Sequence, residues 1–146
     1  MFFNKIAKVA LFISVIITVN TVNVNARENG SKTFDWGPLM DAITQVESEG
    51  NSRAISSDGS SCGAMQITPI LVKDCNAILK QRGEKQRYTL NDRFNVKKSR
   101  EMFVLIMSHY NPTNNVERAI RLWNGGVKYT TKGTQRYYQK VMSLYK

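Results

Sequence analysis

The sequence predicts a mainly α-helical domain of about five helices around one central buried helix, with a short β-hairpin beside a cleft. Three observations predict it. Apolar residues recur at three- and four-residue spacing in several separate stretches, which puts them on one face of a helix. One stretch, Met102 to Met107, is apolar nearly all round, as a helix surrounded by others must be. No long alternating run marks a strand. The chain has 146 residues, 42% hydrophobic and 22% charged. That suits one globular domain and excludes wholesale disorder.

The helices are read in order. The first runs from about Trp36 to Glu49, with Pro38 in its first turn, a stripe of Leu39, Ala42, Ile43 and Val46, and Gly50 as its stop. Asn51 to Ser61 is rich in Ser, Asn and Gly and reads as loop. Within Ile55 to Ile67 a short hairpin fits, with Asp58-Gly59 as its turn. The second helix starts at Thr68 as N-cap and Pro69, turns Leu71, Cys75, Ile78 and Leu79 inward, and ends at Gly83. Gly83 to Asp92 is a polar connection. The third, central helix spans roughly Asn95 to His109 and is stopped by Asn111-Pro112. His109 reads as a partner of the helix dipole. The fourth starts at Asn114-Asn115, carries Val116, Ala119, Ile120 and Trp123, and ends at Asn124-Gly125-Gly126. The fifth runs from about Gln135 to Tyr145 with Tyr137, Tyr138 and Val141.

The N-terminal segment stands apart from this domain. Lys5 and Lys8 precede an apolar run from Val9 to Val19, too short for the roughly 20 residues that cross a bilayer. Val24 and Ala26 place small residues where a signal peptidase cuts. Residues 1–26 are therefore expected to be a secretory signal peptide and residues 27–146 the exported domain, periplasmic or secreted, without stable membrane insertion after cleavage. Export makes a disulfide the default for Cys62 and Cys75. These cysteines and the single His109 cannot form a four-ligand structural zinc site, and no metal or organic cofactor is implied. The formal net charge of +10 suggests an anionic partner. Behind an export signal such a partner is an envelope polymer and not nucleic acid; with the basic residues scattered and only Lys97-Lys98 adjacent, the simpler reading is a solvated basic surface with no dedicated patch.

Glu47 is the acid with the most unusual placement. It follows Val46 at the end of the first helix, where it borders the core face. The helix C-terminus disfavours negative charge, and so does partial burial. Both raise a carboxyl pKa towards that of a proton donor at neutral pH. Glu49 is the natural control, nearer the Gly50 stop and more solvated.

These residues carry a resemblance. Glu47-Ser48, then Asn51, Ala54, Ser56, Gly59, Gly63, Met65-Gln66-Ile67 and Pro69, resemble the signature of the soluble lytic transglycosylase domain of the lysozyme-like superfamily. Asp92 with Asn95-Val96 resembles the opening of that family's central helix. Trp123-Asn124-Gly125-Gly126 stands where the family has Tyr-Asn, a small residue and Gly. Tyr137 with Lys140-Val141 resembles its closing Tyr motif. The likeness runs from about Leu39 to Tyr145.

The resemblance implies a lysozyme-like α+β fold and peptidoglycan glycan strands as partner. It implies cleavage between N-acetylmuramic acid and N-acetylglucosamine with closure of a 1,6-anhydro ring. On it, Glu47 is the general acid and then the base, and Ser48, Met65, Gln66, Trp123, Asn124 and Tyr137 hold or line the substrate. A single carboxyl suits this reaction, because the nucleophile is the substrate's own hydroxyl, whereas a hydrolase usually needs a second carboxylate. The chain departs from the pattern in two places. The stretch from Gly59 to Gly63 carries an extra residue. Trp123 keeps a ring for sugar stacking but lacks the phenolic hydroxyl, which Tyr137 would then supply. Asp58 is a candidate second carboxylate, in which case the enzyme is a hydrolytic muramidase of the same fold; as part of Asp-Gly it reads more simply as a turn residue. A reading of another class is a peptidoglycan-binding or assembly module of a secretion or conjugation machine. A monomer is expected.

Overall fold

A computed structural model describes residues Thr33–Lys146; the signal-peptide reading lies outside the described residues. Five α-helices follow one another: α1 (Gly37–Ser48), α2 (Pro69–Gln81), α3 (Val96–Tyr110), α4 (Val116–Gly125) and α5 (Thr131–Leu144). None of these is long and apolar enough to cross a membrane. The most extensive pairing joins α4 to α5, and α1 packs on α5 while α2 packs on α3.

Local sequence sets the ends of these helices. In α1, Pro38 sits in the first turn, and Leu39, Ala42 and Ile43 are buried. The helix stops because Glu49 turns left-handed at φ 54° and Gly50 follows at φ 85°. Helix α2 is capped as read, with Thr68 Oγ1 accepting from the Leu71 N–H at 3.2 Å. Its buried face is Val72, Cys75, Ile78 and Leu79. Leu71, expected inside, is half-buried at the edge of that face. The polar connection expected over Gly83 to Asp92 runs into a 3-10 turn, Leu90–Phe94, in which the Asp92 carboxylate accepts from the Thr89 N–H at 2.7 Å.

Helix α3 is the central one. Met102, Phe103 and Met107 are fully buried, but Val104 is 42% exposed, so one edge reaches the surface. Asn115 caps α4 through its side-chain oxygen at 2.8 Å from the Arg118 N–H. In α4 the buried residues are Ala119, Ile120, Arg121 and Leu122; Val116 and Trp123, expected on the stripe, are partly buried. Helix α5 begins about one turn before the expected Gln135, because Thr130 Oγ1 caps it by accepting from the Gly133 N–H at 3.0 Å. Rings form a path through the core: Trp36 meets Phe103 at 5.6 Å between centroids, and Phe103 meets Trp123 at 5.1 Å.

The expected hairpin is reduced to two isolated antiparallel bridges, Ile55 with Cys62 and Cys62 with Ile67. Asp58-Gly59 does make the turn, with the Gly59 N–H donating to Ser56 O at 2.8 Å. Gly63, at φ 78°, lies against the 3-10 turn so closely that a Cβ would fall on the Arg93 carbonyl oxygen.

The expected disulfide is corrected by this arrangement. Cys62 and Cys75 are both free and buried. Cys75 faces α3, where its S–H donates to Met102 O at 3.8 Å. Cys62 is held between Ile55 and Ile67. Burial pushes the Cys75 thiol up to about 12, which leaves it protonated and inert.

Candidate active site

Glu47 sits in the last turn of α1, half-buried, at the edge of a pocket of about 260 Å³. The loop before α2 gives this pocket Ser61, Gln66 and Thr68, α2 gives Leu71, and the end of α4 gives Trp123 and Asn124. The Tyr137 hydroxyl, on α5, donates to Glu47 Oε1 at 2.6 Å. Desolvation raises the Glu47 pKa, and the Tyr137 hydrogen bond partly opposes that rise. Burial and the neighbouring Glu47 push the Tyr137 phenol upward, so the phenol stays the donor. Among the described residues, Glu47 is the only carboxylate lining this pocket. Glu49 is exposed at the left-handed end of α1.

The structure thus brings together Glu47, Gln66, Trp123, Asn124 and Tyr137 from four parts of the chain. Gln66 is held at φ 49°, an uncommon left-handed conformation for a residue with a side chain. Its amide nitrogen donates to Gly63 O at 2.9 Å, so the loop itself fixes the side chain. Trp123 rests on Phe103 and exposes part of its ring to the pocket.

Three predicted site residues lie elsewhere. Met65 is 0% exposed and belongs to the core, so it has no surface to offer a sugar. Ser48 donates its hydroxyl to Ala64 O at 2.7 Å; it ties the end of α1 to the loop carrying Gln66 and is not turned to the pocket. Asp58 is fully exposed and held inside its own turn. Its carboxylate accepts from the Ser56 hydroxyl at 2.6 Å and the Ser60 hydroxyl at 2.8 Å. Those bonds lower its pKa to about 2, and it does not line the pocket with Glu47. His109 is exposed in the last turn of α3.

Sequence reasoning missed Ser61, Thr68 and Leu71 as pocket residues. Thr68 carried a clear signal, but for capping α2; Leu71 carried one for the core. An adjoining pocket of about 290 Å³ shares Thr68, Leu71, Trp123 and Asn124 and adds Tyr110, Val127 and Asp74. The two together make a groove that continues past the acid. A larger groove, about 900 Å³, lies between the end of α2 and α3 and holds none of the predicted site residues.

A half-buried carboxyl with one phenolic donor, an aromatic wall and amide side chains can donate a proton and bind a polar, ring-shaped substrate. Comparison with known proteins gives one match. The family model described as Transglycosylase SLT domain matches residues 25–145. No curated protein and no solved structure matches the chain.

Proposed function

The chain belongs to the Transglycosylase SLT domain family, which implies lytic transglycosylase-type activity on peptidoglycan, and on that premise we propose that Glu47 alone carries the acid and base steps of glycan cleavage. Neutral Glu47 protonates the oxygen linking N-acetylmuramic acid to N-acetylglucosamine. The C–O bond breaks, and the muramic 6-hydroxyl closes on the anomeric carbon. Its proton passes to the Glu47 carboxylate, which restores the acid. No water is consumed, and the product ends in a 1,6-anhydro ring.

The observation that carries this reading is the solitary carboxyl. A water-using glycosidase usually sets two carboxyl groups across the scissile bond; among the described residues the Glu47 pocket holds one, and the Asp74 carboxylate of the adjoining pocket accepts from the Tyr110 hydroxyl at 3.5 Å. The Tyr137 hydroxyl occupies Oε1 and leaves Oε2 for the substrate. Burial raises the Glu47 pKa, which keeps the proton available nearer neutral pH. Trp123 supplies a ring for a sugar face, and Gln66 and Asn124 supply polar edges. The basic excess that remains in residues 27–146 once Lys5 and Lys8 are removed favours approach to an anionic wall polymer. Residues 1–26 are assigned as the export signal that delivers the domain there. The test is mass spectrometry of muropeptides released from purified sacculi. Anhydro ends, one water lighter than reducing ends, are expected, and Glu47→Gln should lower their release at least about 10²-fold. Reducing ends as the sole product would overturn the proposal.

A further inference from the structure

Arg121 lies on α4, yet only 3% of it is exposed. A guanidinium withdrawn from water needs its donors met. Here Nε donates to Glu117 Oε1 at 2.8 Å. One terminal nitrogen donates to Thr131 O and Thr134 Oγ1, each at 3.0 Å. The other donates to Gln135 Oε1 at 2.9 Å. The group also lies over the Tyr138 ring, 4.5 Å from its centroid, a favourable cation–π geometry. Except for Glu117, every partner belongs to the first two turns of α5. The helices can close this far because Gly125 faces Tyr129 and Thr134, where a Cβ would sit 2.7 Å and 2.9 Å from their side chains. Tyr137, between Gln135 and Tyr138, is the residue that holds Glu47.

We infer that Arg121 is a positioning residue for the acid: it clamps the start of α5 to α4, and so sets the Tyr137 hydroxyl on Glu47 Oε1. It lines no part of the Glu47 pocket and touches no reacting atom. The same helix carries Trp123 and Asn124, so one buried side chain fixes the acid's partner relative to the opposite wall. The clamp follows from geometry; its value for turnover rests on Glu47 being the working acid. The titratable groups that face each other here are few. Glu47 meets the Tyr137 phenol, and no other charged side chain lines its pocket. Arg121 meets Glu117 and the Tyr138 ring.

The test reads Glu47 directly, by NMR titration of its ¹³C-labelled carboxyl in the full chain, beside the pH profile of muropeptide release. Tyr137→Phe removes the hydrogen bond that favours the carboxylate, so Glu47 should titrate higher. Arg121→Lys keeps the charge but loses the fork, and Arg121→Met loses both. Each should displace the Glu47 titration upward, by no more than Tyr137→Phe does, and should add nothing when combined with it. The kcat should fall about tenfold with KM little changed. Gln135→Ala removes a single contact and should give a smaller displacement in the same direction; it is the variant to read if Arg121→Met does not fold. If folded Arg121→Lys and Gln135→Ala melt earlier but titrate like the parent, Arg121 merely holds two helices together and the inference falls. If the titration moves as expected in a protein whose parent releases no anhydro ends, the clamp stands and the proposed function falls.

Discussion

Replacing Tyr137 by Phe removes one hydroxyl and leaves the ring in place. That hydroxyl donates to Glu47 Oε1 at 2.6 Å, the short range of O–H···O⁻ bonds. A hydrogen bond to a charged group contributes about 1.5–3 kcal/mol. Both side chains are partly solvated, so the lower end applies, about 1.5 kcal/mol to the ionised state. The bond favours the carboxylate over the neutral acid and thereby opposes burial, which drives the Glu47 pKa upward. With the hydroxyl gone, burial acts alone and the pKa rises further. The assay is anhydromuropeptide release from sacculi as a function of pH, whose alkaline limb reports Glu47 losing its proton. In Tyr137→Phe that limb should move to higher pH. The maximal rate should fall about tenfold, because the carboxyl is no longer held in one orientation. Stability should follow the same proton. A carboxyl whose folded pKa lies above its unfolded one contributes fully below the ordinary value, here 4.5, and that contribution is lost as pH rises through the folded value. The Phe variant should therefore lose stability at neutral and alkaline pH and lie closer to its parent in acid. An alkaline limb that stays in place, or moves to lower pH, would refute the reasoning.

Four other outcomes are expected. Glu47→Gln, expected to be inactive under the proposed function, should be more stable than the parent at alkaline pH and equal to it in acid, since it removes a buried charge; denaturant melts at both ends of the pH range check this. Asp58→Asn should leave both the rate and the anhydro product unchanged on sacculi, because Asp58 serves only its own turn. Thiol titration should find no reactive cysteine in the native protein and both Cys62 and Cys75 after unfolding without reductant. Trp123→Ala should cost about 3 kcal/mol in chemical denaturation, whereas Trp123→Tyr should hold its stability and keep the anhydro product, because a ring still covers Phe103.

The helices were legible where the chain announces its own ends. Thr68-Pro69 and the Glu49-Gly50 turn mark α2 and α1 by local chemistry alone. The start of α5 was not legible, because Thr131, Lys132 and Gly133 have no apolar periodicity; that turn is held by Thr130 and by Arg121 reaching across from α4. No local pattern marks Arg121 either, since nothing in the sequence around it tells a buried arginine from a solvated one. The position of Glu47 on a helix end that borders the core was readable. Its bond to Tyr137 spans 90 residues, and only the family likeness put both residues on one list. Met65 and Ser48 show the converse. The motif named them together with Gln66, but burial and a hydrogen bond to Ala64 O decide which side chains in one short run can meet a ligand.

That 90-residue separation also governs when the site comes into being. Chain emerging from a ribosome or a translocon presents Glu47 long before Tyr137. A carboxyl on an isolated α1 is solvated, with an ordinary pKa and no partner. Only when α5 has folded back on α1 and α4, against the loop-closure entropy of so long a segment, does the proton acquire its working affinity. Under the proposed function, a nascent or half-unfolded chain therefore lacks its working acid, because Glu47 gains its phenolic donor only once α5 is docked.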